Sequence, residues 1–188
     1  MRPSATELVD FYATRTMQFT DRGIWLPIPV DVIVGTFRHP LFGTDAIVLD
    51  AGMGDGRVVA VAAAMGMNAY GIEIDPALAR QTSASLASLN DKGLPSGWCV
   101  SEGDFLDLGS YEKLGVEPGE IDVFINYPDG NEQALADFVG RHARRGARLA
   151  LVTADLSLTV SGLLLEEETS VERRGNAPSF RLVFYRVQ

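Results

Sequence analysis

Cysteine is almost missing from the chain. Cys99 is the only one among 188 residues, so no internal disulfide can form, and a reducing, cytoplasmic setting is the expectation. Histidine is scarce too. His39 and His142, with one cysteine, give no zinc-ligand spacing, and no metal is expected. No apolar run approaches the roughly 20 residues that a membrane span requires. The opening stretch MRPSATELVDFYATRT lacks the apolar centre of a signal peptide, so export is not expected. Positive charge is in deficit: 16 Lys and Arg face 25 Asp and Glu, a net charge of -9. Such a surface repels phosphate backbones, which makes nucleic acid a poor partner, and it suits a cationic ligand or a basic protein segment. Solubility alone would use the same charge. Repeats, low-complexity tracts and linker-like stretches are missing as well.

What remains is 46% hydrophobic and 22% charged, which fits one globular domain with a full core. Residues 1–44 read as a helical cover and residues 45–188 as the core. Ser4-x-x-Glu7 resembles a capping box ahead of LVDFYATRTMQF, read as a helix with Leu8, Phe11 and Tyr12 on its apolar face. WLPIPVDVIVGTF breaks at Pro27 and Pro29 and resumes as a second short helix. AIVLDAG is a continuous apolar run, as in a strand buried on both faces. RVVAVAAAMG is helical and ends at Gly66. NAYGIEI is a second strand. DPALARQTSASLASLN starts on an Asp75 cap with Pro76 first in the helix, and Leu78, Thr82, Leu86 and Leu89 share one face. WCVSEGD, IDVFINY and ARLALVT read as further strands, with the helix NEQALADFVGRHA between the last two. The end reads as two strands joined by a Gly175-Asn176-Ala177-Pro178 turn. The expected fold is α/β: a Rossmann-like sheet, mostly parallel, with helices on both faces and a C-terminal antiparallel hairpin.

The most informative stretch is VLDAGMGDGRVVAVAAAMG, where three glycines separate an apolar run from an alanine-rich one. A strand, a glycine-rich turn and a helix N-terminus form a ligand site, because glycines admit a ligand to the backbone and the helix offers unpaired N–H groups. In a dinucleotide fingerprint the third small residue would fall on Arg57, whose long side chain does not suit it. The alternative spacing, acidic-x-Gly-x-Gly-x-Gly, fits Asp50 with Gly52, Gly54 and Gly56. A carboxylate that close to the loop favours a ligand carrying an ammonium over a pyrophosphate. Glu73 ends the second strand, where a carboxylate accepts from both ribose hydroxyls. Asp104 ends the third, where it can accept from an adenine amino group or cap an Asx-turn. Asp50, Glu73 and Asp104 thus match an amino-acid head, a ribose and an adenine. Asp55 reads as a solvent-facing loop residue, and Gly56 as a helix-packing one.

VLDAGMGDGRVV, AYGIEIDPALA, SEGDFLDL and IDVFINYPDG together resemble the class I, seven-stranded, S-adenosylmethionine-dependent methyltransferases, over roughly residues 46 to 155. GDGRVV and GIEIDP, with PIPVDVIVGTF upstream, are also similar to small protein-lysine methyltransferases of that class. The resemblance implies a methyltransferase using S-adenosylmethionine. It implies that Asp50, Gly52 and Gly54 hold the methionyl part, Glu73 the ribose, and Ile74, Asp104 and Phe105 the adenine. It further implies that the fourth strand ends beside the methyl group, at Asn126-Tyr127-Pro128-Asp129-Gly130.

That loop is similar to the Asn/Asp-Pro-Pro-Tyr loop of amino-group methyltransferases, but here Tyr127 precedes the proline. Asn126, Tyr127 and Asp129 are the candidate acceptor-site residues, with Tyr127 facing an amine through its ring and Asp129 attracting an ammonium or taking its proton. YPDG is equally a good β-turn sequence. Trp25 and Phe11 read as packing residues of the cover. The expectation is methyl transfer to a nitrogen acceptor, a protein lysine in a basic segment or a small amine. Three alternatives remain: an aminopropyl transferase of the spermidine-synthase type, a nicotinamide oxidoreductase disfavoured by Arg57, and a catalytically silent S-adenosylmethionine-binding protein.

Overall fold

A computed structural model describes residues 3–20, 23–173 and 178–188. The chain begins with helix α1 (Ala5–Tyr12), whose Ser4 and Glu7 form the expected capping box. The helix stops at Tyr12, earlier than the sequence pattern suggested. Residues Gln18–Thr20 (β1) and Gly23–Trp25 (β2) pair instead as a small antiparallel hairpin. Polar residues between Ala13 and Thr16 leave no apolar face to continue the helix, and paired Phe19 and Ile24 favour extended backbone. Helix α2 (Val30–Phe37) starts directly after Pro29, as read from the sequence.

The core alternates strand and helix: β3 (Ile47–Ala51), α3 (Arg57–Ala64), β4 (Asn68–Glu73), α4 (Pro76–Asp91), β5 (Trp98–Glu102), α5 (Leu108–Leu114), β6 (Val123–Asn126), α6 (Glu132–His142) and β7 (Arg148–Thr153). It closes with β8 (Leu164–Val171) and β9 (Phe180–Arg186). The sheet order is β5-β4-β3-β6-β7-β9-β8. Strands β3 to β7 pair in parallel, while β9 is antiparallel to both β7 and β8. The mostly parallel sheet with a terminal antiparallel hairpin matches the expectation. The turn expected at Gly175–Ala177 lies outside the described residues.

Each face of the sheet has its own core. On one side Leu8, Tyr12, Val32, Ile33, Val59 and Leu86 pack together, which seats α1, α2, α3 and α4. On the other, Tyr111, Leu114, Leu135, Phe138 and Val139 seat α5 and α6. Helix α5 was not read from the sequence. Its Asp107 cap accepts from the Gly109 N–H and its left-handed Gly115 ends it, but between them only Tyr111 and Leu114 of this short segment present large buried apolar side chains. Helix α4 behaves as read: Asp75 accepts from the N–H groups of Ala77 and Leu78, and Leu78, Thr82, Leu86 and Leu89 are all buried.

Two topological facts position the site. The chain moves outward from β3 to β5 and then returns to β6 on the other side of β3. A crevice therefore opens at the carboxyl ends of β3 and β6, where ligands bind in open α/β sheets. The N-terminal segment carrying β2 lies over that end.

Candidate active site

A cavity of about 500 Å³ opens at the carboxyl ends of the strands. Of the expected site residues, Asp50, Gly52, Glu73, Ile74, Asp104 and Phe105 line it from the sheet side. Tyr127 and Asp129 line it from the loop after β6, and Trp25 and Leu26 from the cover. Gly54 and Asn126 do not line it.

The glycine loop takes a shape that only glycine supplies cheaply: Gly52, Gly54 and Gly56 have φ of 83°, 55° and 78°. A Cβ on Gly56 would overlap Cγ2 of Thr82, so this glycine packs α3 against α4, as expected. Thr82 also donates its hydroxyl to the Gly54 carbonyl at 2.6 Å. A Cβ on Gly54 would overlap Nε1 of Trp25, so the indole lies directly on the loop.

Asp50 ends β3 with 4% of its surface exposed, and its Oδ2 has no hydrogen-bond partner. Burial pushes its carboxyl well above the usual carboxylate range, and the charges of Glu73 and Asp55 push the same way. A buried carboxylate without a partner is costly, and a ligand ammonium would relieve that cost. Glu73 is buried, with its Oε2 accepting the Gly54 N–H and its Oε1 the Asp75 N–H, both at 2.9 Å. Burial raises its pKa, while the N–H groups of Asp75 and Gly54 lower it in part. Each oxygen keeps acceptor capacity for one more donor, as a ribose diol needs.

Asp104 is exposed at the rim and its Oδ1 accepts the Leu106 N–H at 2.9 Å. The Asx-turn is thus formed, and Oδ2 stays available to a ligand. Phe105 is buried and Ile74 half-exposed, giving an apolar wall and lip. Phe105 is anchored through its carbonyl, which accepts the Tyr111 hydroxyl at 2.8 Å.

In the loop after β6, Tyr127 is half-buried and packs near Phe180 with ring centroids 6.1 Å apart. Burial raises its pKa, so its hydroxyl stays protonated at neutral pH. Asp129 is exposed, and its Oδ1 accepts the Asn131 N–H at 3.0 Å. Asn126 is 1% exposed and gives its Nδ2–H to the Ala51 carbonyl at 2.7 Å. That bond ties the ends of β6 and β3 together just behind Gly52, and it explains why Asn126 sits behind the cavity wall. Its Oδ1 is buried without a partner.

Asp55 differs most from the sequence reading. It is fully buried, and its two oxygens hold the Arg57 guanidinium at 2.9 and 2.8 Å. Arg57 also donates to the carbonyls of Ile28 at 3.0 Å and Arg15 at 3.2 Å. Its guanidinium carbon lies 5.2 Å from the Tyr12 ring centroid and 5.7 Å from that of Trp25. The pair clamps the cover to the glycine loop. The D-G-R spacing could have signalled it, since a carboxylate and a guanidinium two residues apart around a left-handed glycine can meet. Cys99 is half-buried, His39 pairs with Glu167 at 3.1 Å, and His142 is exposed on α6.

No family model and no curated protein matches the chain. Solved structures do. A Salinibacter ruber RNA methyltransferase in complex with S-adenosyl-L-homocysteine aligns with a TM-score of 0.62 at 19% identity, over 86% of this chain and 94% of that one. Magnesium protoporphyrin IX methyltransferase from Synechocystis with bound S-adenosylmethionine gives 0.56 at 18%, over 84% and 76%. A precorrin 8W decarboxylase from Methanobacterium thermoautotrophicum gives 0.61 at 18%, over 86% and 92%. The three named activities differ while the architecture is shared. With β5-β4-β3-β6-β7-β9-β8 as its sheet, the chain has the seven-stranded fold of the class I S-adenosylmethionine-dependent methyltransferases.

Proposed function

We propose that the protein is a methyltransferase that binds S-adenosylmethionine and transfers its methyl group to an amine, most plainly a lysine side chain in a basic protein segment. The observation that carries the reading is the orphaned carboxylate of Asp50, buried at the cavity floor beside the glycine loop. It calls for a cation, and the amino-acid head of S-adenosylmethionine brings an ammonium. Glu73 at the end of β4 and Asp104 with Phe105 in the loop after β5 suit a ribose and an adenine. Some neighbours by fold carry this cofactor or its product.

Charge favours an amine. Among the described residues six carboxylates line the cavity: Asp50, Asp55, Glu73, Asp75, Asp104 and Asp129. Among the described lining residues Arg57 is the only cation, and it is paired with Asp55. A phosphate-bearing acceptor would meet no free positive charge among the described lining residues, whereas a lysine would be drawn in past Tyr127 and Asp129. The methyl of a sulfonium is already electrophilic, so the protein's task is to align a neutral nitrogen with it and exclude water. In this reading Asp129, exposed at the cavity, takes the amine's proton, and the Tyr127 ring and hydroxyl orient it.

Calorimetry with S-adenosylmethionine and with NAD tests the cofactor: binding of the first alone is expected, and binding of NAD alone would overturn the reading. Transfer of labelled methyl into a lysate, with protease and nuclease arms, tests the acceptor. Label that survives nuclease and is lost to protease is expected. Tyr127→Phe and Asp129→Asn should slow transfer while leaving cofactor affinity nearly unchanged.

A further inference from the structure

The amino-acid end of S-adenosylmethionine carries a carboxylate as well as an ammonium, and the protein must receive both. The glycine loop is the natural place to look for donors, but five of its N–H groups are in use. Gly52 and Met53 both donate to the Ile72 carbonyl at 3.0 Å. Gly54 donates to Glu73 at 2.9 Å, Gly56 to the Met53 carbonyl at 2.9 Å, and Arg57 to Asp55 at 3.3 Å. The Arg57 side chain is committed too. It makes four hydrogen bonds, two to Asp55 and one each to the carbonyls of Ile28 and Arg15, against five N–H donors in a guanidinium.

Trp25 stands over this loop with a donor to spare. Its indole lies against Gly54, close enough that a Cβ there would overlap Nε1, and the residue lines the cavity. An indole N–H only donates, and a half-buried one normally finds an acceptor. Among the described residues it has none. Its placement is fixed from behind: the Arg57 guanidinium lies 5.7 Å from the ring centroid, and Arg57 also holds the Ile28 carbonyl three residues along.

We propose that the indole N–H of Trp25 donates directly to the carboxylate of the cofactor's amino-acid end, while Asp50 receives the ammonium. This rests on the cofactor reading above and adds to it a cofactor ligand supplied by the cover. It also gives a second reason for glycine at position 54, since the indole occupies the space of a side chain.

The test is a thermodynamic cycle on the full-length protein, with S-adenosylmethionine and decarboxylated S-adenosylmethionine as ligands and Trp25→Phe as the variant. The decarboxylated ligand keeps the ammonium, ribose and adenine. Phenylalanine keeps an aromatic ring but removes the N–H. Loss of a hydrogen bond to a charged group should weaken S-adenosylmethionine binding by about tenfold or more in the variant. Binding of the decarboxylated ligand should be the same in both proteins, because the coupling needs both partners. A Trp98→Phe background leaves Trp25 as the sole tryptophan, and its emission should respond to S-adenosylmethionine. Equal weakening of both ligands would reduce Trp25 to a packing residue, and no weakening would remove it from the ligand set; either overturns the inference. Tighter binding of the decarboxylated ligand by the parent would overturn it too, and would favour aminopropyl transfer. If the parent bound neither ligand, the cofactor reading would fall with it. If Trp25→Phe did not fold, the ratio of the two ligands' affinities in the parent decides, since the inference requires a preference for the carboxylate.

Discussion

Asp50 and Glu73 are both buried carboxyls, yet they differ in what surrounds them. Glu73 is braced by two backbone N–H groups, while Oδ2 of Asp50 has no partner. On the proposed function, Asp50 is therefore a site where binding and stability oppose each other. Its pKa in the fold is raised, chiefly by burial. A carboxyl raised in the folded state contributes stability that is complete below its unfolded pKa and lost as pH rises through the folded value. The ligand-free protein should then lose stability across that window. Asp50→Asn should flatten this dependence, raise the melting temperature near neutrality, and abolish stabilisation by S-adenosylhomocysteine. Thermal melts from the ordinary Asp pKa of 3.8 up to neutrality, with and without that ligand, read all three effects. A variant that melts lower at neutral pH and still responds to ligand would show that Asp50 serves the fold. Glu73→Ala has the opposite signature. It should weaken the cofactor by tenfold or more through lost hydroxyl contacts. It also leaves the N–H groups of Gly54 and Asp75 without an acceptor, at about 1–3 kcal/mol each where water does not replace it. Urea unfolding should register that loss.

The Asp55–Arg57 pair is where element-level structure depends on one contact. It joins the start of α3 to the carbonyls of Arg15 and Ile28, which flank the β1–β2 hairpin. Removing one partner of a buried pair costs about 3–5 kcal/mol, because the other is left charged and unpaired. Arg57→Met should lower stability by that order, and the first 30 or so residues should exchange backbone hydrogens faster than the sheet does. Asp55→Asn combined with Arg57→Met should recover part of the stability. Similar exchange in the cover of the parent and the variant would count against the clamp. The sequence disclosed the regular elements well, since β3, α3, β4 and α4 carry unbroken periodicity, caps and glycine stops. It disclosed less where a pattern is short. Helix α5 spans only Leu108–Leu114, and the strands of the β1–β2 hairpin three residues each, too few for periodicity to separate helix from strand. Asp55 escaped for another reason. A carboxylate in a loop is ordinarily solvated, and only the arrival of the cover buries it.

At the scale of the molecule, the net charge of -9 and the six carboxylates around the cavity act together. A basic acceptor should be gathered by this field, so kcat/KM for it should fall as salt rises, while affinity for S-adenosylmethionine changes less. A rate indifferent to salt would point to an uncharged acceptor. The strand-end carboxylates were legible in the sequence because topology alone brings the ends of β3, β4 and β5 to one rim. Asn126 was placed at the right strand end, but its direction was not legible, since that depends on the Ala51 carbonyl across the strand pair. The cover's own contribution, above all Trp25 over Gly54, needed three dimensions to be seen. Arg57 holds that cover through two main-chain carbonyls, and among the described residues of the hairpin only the Trp25 ring lies against its guanidinium. Such a grip reads the path of the chain and is blind to its spelling. Apart from Trp25, the described residues of the hairpin can therefore be rewritten one by one, by evolution or by an engineer, while the loop keeps hold of it.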